Sequence, residues 1–183
     1  MYFCLQNSNK VDIFVLEVWD DEGARCTFYT VKYEYADTNE TDLFFNKYDA
    51  MSEYKEAGQI LLSFILNAIG EDHGAIDDFF NRSENEVKGL PVQGKVVIEE
   101  ITYHYPEFPL RIYALKITNN IVILFNGGVK DGPTNQTSSL NMEWRAACEF
   151  AKRIEEALRD GSIIVDETNR KLTNYDGSDE IIL

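Results

Sequence analysis

Two apolar runs, residues 110–117 (LRIYALKI) and 121–125 (IVILF), are separated by little more than Asn119-Asn120. Asparagine tolerates the positive φ that a tight primed turn demands, so the runs are expected to pair as an antiparallel hairpin. Along the first arm, Arg111 and Tyr113 are two residues apart and fall on one face, while Leu110, Ile112 and Ala114 take the other face, toward a helix. The second arm runs into Gly127-Gly128-Val129-Lys130. Two glycines permit a turn or bulge that aims Lys130 off the strand end. Asp131, Gly132 and Pro133 then close the strand. No other stretch of the chain constrains the fold as tightly.

The flanking sequence supplies what such a hairpin packs against. Residues 11–19 (VDIFVLEVW) and 24–34 (ARCTFYTVKYE) are rich in β-branched and aromatic residues around the turn cluster Asp20-Asp21-Glu22-Gly23, and predict an N-terminal β-hairpin. Residues 36–41 (ADTNET) predict a polar break. Over 49–69, Tyr54, Ala57, Leu61, Leu62, Ile65 and Ile69 recur at spacings of three and four, which predicts one long helix stopped at Gly70. A short helix over 74–82 and a strand over 94–103 are expected next. A second strong helix over 140–158 carries the stripe Leu140, Trp144, Ala147, Ala151, Ile154 and Leu158, with Ser139 as N-cap and Gly161 as stop. A last short strand is expected at 162–166 and a loose acidic tail at 174–183.

Strands and helices come in blocks, not in βαβ alternation. The expected fold is therefore α+β, a mainly antiparallel sheet packed by two or three helices. With 183 residues the chain fits one such domain: a hairpin appendage over 1–35, a core over 40–160 and the tail.

Charge and cysteine content narrow the function. The net charge of −15 argues against DNA and against indiscriminate nucleic-acid binding. That charge is uneven: residues 1–100 carry 20 acids against 8 bases, whereas residues 101–159 carry 6 acids against 7 bases. Cys4, Cys26 and Cys148 are widely spaced and never form a CxxC pair, so they read as reduced structural thiols of a cytoplasmic protein. The two histidines, His73 and His104, do not stand at ligand spacing from a cysteine, and no metal is expected. Phosphate-loop, dinucleotide, zinc-protease and nucleophile-elbow signatures are missing, so no cofactor is expected. No apolar run approaches a membrane span, and no membrane partner is expected.

Paired acids Asp77-Asp78 and Glu99-Glu100 read as solvated surface. If 94–103 is one strand, Glu99 and Glu100 point to opposite faces and cannot act together. Arg145, Lys152 and Arg159 of the last helix read as ordinary surface ion-pairing residues. More interest attaches to Arg111, Tyr113 and Lys130. A guanidinium and a phenol side by side on an exposed sheet face can hold a phosphate and stack on a base. His104, flanked by tyrosines in TYHYPEFP, has the pKa range of a general acid or base. Ordinary polar-out alternation and an edge histidine are the competing readings.

From Phe79 to Arg153 the order of features resembles the RelE/HigB-type toxin family, and its phage-derived HigB-like branch in particular. The residues that carry the resemblance are Phe79, Phe80, Arg82 and Glu84, the GLP of 89–91, the strand RIYALKI, the strand IVILFNGGVK, and GPTNQ before a long helix. The resemblance implies a RelE-like core carrying an extra N-terminal hairpin. It implies metal-independent mRNA cleavage, on the ribosome and under control of an antitoxin. By position, it implies that Arg111, Tyr113 and Lys130, with His104 more loosely, are the catalytic contacts. The chain departs from the family pattern at Asp131, where a second lysine is common, at Thr102, where an arginine often stands, and in its acidity. The alternative is a non-catalytic binding or regulatory module of the same fold, using its acidic surface against a basic protein partner.

Overall fold

Three strands buried on both faces set the centre of the sheet. The computed structural model describes residues 12–132 and 140–183. In it, β1 (Phe14–Asp20) and β2 (Thr27–Tyr33) form the expected antiparallel hairpin. A polar segment and three helical stretches follow: α1 (Glu40–Asp49), α2 (Lys55–Ser63) and a π-helix (Phe64–His73) that continues α2 without a break. A single 3-10 turn (Asp77–Phe80) leads into the edge hairpin β3 (Ser83–Glu84) and β4 (Val87–Leu90). Next come a separate ribbon, β5 (Lys95–Ile98) and β6 (Ile101–His104), and the long hairpin β7 (Leu110–Thr118) and β8 (Ile121–Val129). The chain ends in α3 (Asn141–Asp160), the ribbon β9 (Ile163–Asp166) and β10 (Lys171–Asn174), and β11 (Ile181–Ile182).

The main sheet has seven strands in the order β11-β1-β2-β8-β7-β4-β3. All its pairings are antiparallel except β2 with β8, which is parallel. The fold is α+β with a mainly antiparallel sheet, as the blockwise element order predicts.

Helices cover both faces of this sheet. On one, α3 packs Ala147, Phe150, Ala151 and Ile154 against Phe14, Tyr29, Tyr113, Ile123 and Phe125. On the other, Phe44 and Tyr48 of α1 and Leu61, Phe64, Ile65 and Ile69 of the long helix meet Phe28, Ile112, Ala114, Val122 and Leu124. Burial on both faces explains why the central strands read as continuous apolar runs. Each such side chain removed from water contributes roughly 1.5–3 kcal/mol.

Several expectations need correction. The hairpin of residues 1–35 is no appendage where it is described: β2 lies beside β8 at the middle of the sheet. The tail is not loose at its end, because Ile181 is 2% exposed and β11 pairs with β1. The polar break is instead a helix start, where the Asn39 side chain accepts from the backbone N–H of Asp42 and caps α1. Helix 49–69 begins late, at Lys55, because Asp49 ends α1, and helical winding then runs past Gly70 to Gly74 at φ 77°. Residues 94–103 form a ribbon rather than one strand, with Glu99 and Glu100 as its turn at φ 47° and 72°. The Asn119-Asn120 link is present, but neither asparagine has positive φ, and the register slips between Lys116 and Thr118. That turn is held by its neighbours instead: Asn119 and Asn120 accept at their carbonyls from the N–H groups of Ala75 and Thr27. The proposed cap at Ser139 lies outside the described residues, while Gly161 caps the far end of α3 at φ 82° as expected.

Candidate functional site

The site forms where the edge hairpin β3–β4, the start of β7 and the end of β8 meet beneath α3. Gly127 lets the two long strands close at this end. A Cβ there would run into the Arg111 carbonyl oxygen and stand 2.7 Å from the Ile112 Cα. The register shifts between Ile112 and Ala114, so Tyr113 sits at a bulge. Gly89, opposite Tyr113 on β4, plays a similar part for side chains. A Cβ there would lie 2.8 Å from the Arg82 Cδ and 3.0 Å from the Arg111 Cδ, so its absence lets two guanidinium stems run side by side.

Arg111 is 5% exposed and donates from Nη1 to Oε1 of Glu84 at 2.7 Å. Glu84 is fixed in turn at its backbone, whose carbonyl accepts from the Trp144 indole at 3.1 Å and from the Cys148 thiol at 3.8 Å. Tyr113 is fully buried against α3, and that burial pushes its phenol well above the ordinary range, with hydrogen bonding to Arg111 opposing it. The phenol is therefore a neutral donor throughout the physiological range. Lys130 stands at the exit of β8, where its backbone N–H donates to the Pro109 carbonyl and its ammonium to the Gly132 carbonyl. Burial and the neighbouring Arg111 charge both lower its pKa. Arg82 is lowered for the same two reasons, and its buried Nε has no hydrogen-bond partner among the described residues.

One expectation for this region needs correction. Arg111, Tyr113 and Lys130 do come together. The exposed face on which they were expected is absent, because α3 covers it and Tyr113 belongs to the core. His104 does not join them. It is exposed on β6, in the ribbon whose Tyr103 packs into the cluster on the opposite side of the sheet from α3. Lys116 is also elsewhere, 2.5 Å from the Asp77 carboxylate.

Arg82 and Glu84 are the residues that site reasoning from sequence missed. Glu84 lies 27 positions from Arg111 and reaches it only because the β3–β4 hairpin folds back onto β7. A short polar stretch before a Gly-Leu-Pro carries no local signal of that pairing.

Compared with known proteins, the chain matches no family model, no curated protein and no solved structure at a significant level. The chemistry must therefore be judged from the residues. Three cations, Arg82, Arg111 and Lys130, share their surroundings with the carboxylates Glu84 and Asp131. Such a set can hold an anion only at its partly open members, Arg82 and Lys130, since Arg111 is enclosed.

Thiol chemistry is disfavoured at both described cysteines. Burial and then Glu86 push the Cys148 thiol up to about 12, and burial does the same to Cys26. Both thiols stay protonated at neutral pH and react slowly. Among the described residues no group of three or more His, Cys, Asp or Glu side chains could hold a metal ion, and no helix is long and apolar enough to cross a membrane.

Proposed function

We propose that this protein is a non-catalytic binding module that engages a basic protein partner through its acidic surface. The observation that carries this reading is the enclosure of Arg111 by Glu84 together with the complete burial of Tyr113. A ribonuclease that positions a 2′-hydroxyl against a phosphate needs its cation and phenol within hydrogen-bond reach of the substrate. Here the guanidinium is spent on a largely enclosed carboxylate and the phenol lies under a helix. The ion pair therefore ties β3 to β7, and the charge of −15 is left as the chain's chief means of recognition.

The second reading is a divergent RelE/HigB-like toxin, a metal-independent mRNA endoribonuclease acting at Arg111, Tyr113 and Lys130. One observation favours it: those three side chains share one corner, with Arg82 alongside. His104 would contribute nothing to that corner as it stands. The toxin reading carries an antitoxin partner with it, whereas the module reading requires only a basic protein.

The chain purified alone and incubated with end-labelled mRNA separates the two. The module reading expects intact RNA, and its induced expression leaves growth and mRNA levels unchanged. Cleavage that persists in EDTA and disappears in Lys130→Ala overturns that reading in favour of the toxin.

A further inference from the structure

The long helix that begins at α2 contains the most unusual backbone of the chain. Residues Phe64–His73 wind as a π-helix, a form that is rare, commonest at functional positions, and here ten residues long. Its consequence is geometric. In an α-helix of about 3.6 residues per turn, each step of four residues rotates a side chain by about +40°. The wider π winding, with about 4.4 residues per turn, rotates the same step by about −33°. Over Glu56, Ile60 and Phe64 the row drifts one way, and over Phe64, Ala68 and Asp72 it drifts back. Glu56 and Asp72 consequently line the same groove, which a continuous α-helix would prevent by carrying Asp72 to nearly the opposite side.

That groove measures about 390 Å³ and is closed on its other wall by Tyr103 of β6. Its floor is apolar: Phe64 and Ala68 are buried, and Ile60, one turn from Glu56, is 41% exposed. Exposed carboxylates stand at both ends of the row. Tyr103 is pinned by a 2.9 Å hydrogen bond to Nε2 of His73, and the Asp72 charge raises its pKa after burial does. The wall and the floor are thus preformed, and the π winding brings Asp72 into line with Glu56 of α2.

We propose that this groove binds a short extended segment of a basic protein, with an apolar or aromatic residue over Ile60 and a cationic residue at each end. The proposal rests on the module reading above and supplies its binding surface. The occupant follows from charge complementarity: two carboxylates flank the apolar floor in a chain of net charge −15. Spacing follows from length. Sixteen residues of helix, partly π-wound, span about 20 Å, which an extended strand at about 3.3 Å per residue covers in about six residues.

The test uses the full chain and a capped seven-residue peptide with arginine at both ends and tryptophan at the third and fifth positions, so that one falls over Ile60 in either chain direction, read by fluorescence anisotropy at low salt. A peptide with glutamate at both ends is the control. Glu56→Gln/Asp72→Asn changes two exposed positions and leaves the core untouched, which circular dichroism verifies. The arginine peptide is expected to bind, the glutamate peptide not to bind, and the double variant to bind the arginine peptide at least about fivefold more weakly. Equal binding to wild type and variant overturns the groove and leaves the module reading standing, since contact is then made elsewhere. No binding of the arginine peptide at millimolar concentration also overturns the groove, whereas the module reading is overturned only by the RNA cleavage described above. Dimerisation of the chain that Ile60→Asp abolishes also overturns the proposal, by assigning the groove to a second copy.

Discussion

Arg111 and Glu84 form the most enclosed ion pair among the described residues, with side chains 7% and 19% exposed and Nη1 2.7 Å from Oε1. The pair spans the two outermost strand positions of the sheet and the strand inward of them, β3 across β4 to β7. Because α3 also donates to the Glu84 carbonyl through Trp144, one residue joins the edge hairpin, the central sheet and the covering helix. The other ion pairs among the described residues are more open: Lys171 and Asp179 are 52% and 74% exposed, and pairs of that kind contribute little.

Gly127 is predicted to tolerate no side chain. Its missing Cβ faces backbone atoms of Arg111 and Ile112, which cannot swing aside as a flexible side chain could. Gly127→Ala should force β7 and β8 apart beneath the site and cost about 3 kcal/mol or more. Urea denaturation of the variant checks this; a loss under about 1 kcal/mol would mean that the strands close differently.

Glu40 is predicted to make stability fall as pH rises through the carboxylate range. Burial raises its pKa, with the Asn126 amide hydrogen bond opposing that rise. A carboxyl whose folded pKa exceeds its unfolded value binds its proton more tightly when folded. Its contribution is thus full below the unfolded value of about 4.3 and is lost as pH climbs through the folded value. Glu40→Gln keeps an acceptor for Asn126 and removes the charge. Its Tm should exceed that of the wild type by a few degrees at pH 7 and match it near pH 3. A lower Tm at pH 7 would show that the helix N-terminus favours the charge more than burial opposes it.

Legibility in the sequence followed the range of the interactions involved. The β7–β8 hairpin was readable because both arms are long, apolar and adjacent, and α3 because its stripe is regular and its stop is a glycine. The stripe Leu61, Ile65 and Ile69 was also readable and is buried, although the helix bearing it changes winding midway. Helix α1 was hidden because its start is polar, and Asn39, which looked like part of a break, is its cap. The parallel pairing of β2 with β8 joins segments about 90 residues apart and leaves no local trace. Burial at the site was missed for one reason: Arg111 and Tyr113 fit polar-out alternation, and only the placement of α3 shows that their face is an inner one. No spacing rule marks Glu84 as the partner of Arg111.

A double-mutant cycle on Arg111 and Glu84, measured by chemical denaturation, tests most directly whether this corner is a structural joint. Removing one member of an enclosed pair leaves an uncompensated charge and should cost about 3–5 kcal/mol, whereas replacing both with apolar residues of similar volume should cost much less. The account predicts that Arg111→Met and Glu84→Leu are each strongly destabilising, and that the double variant is markedly more stable than their sum implies. Near-neutral single variants whose effects simply add would contradict it, and would return Arg111 to the pool of residues free to meet a substrate.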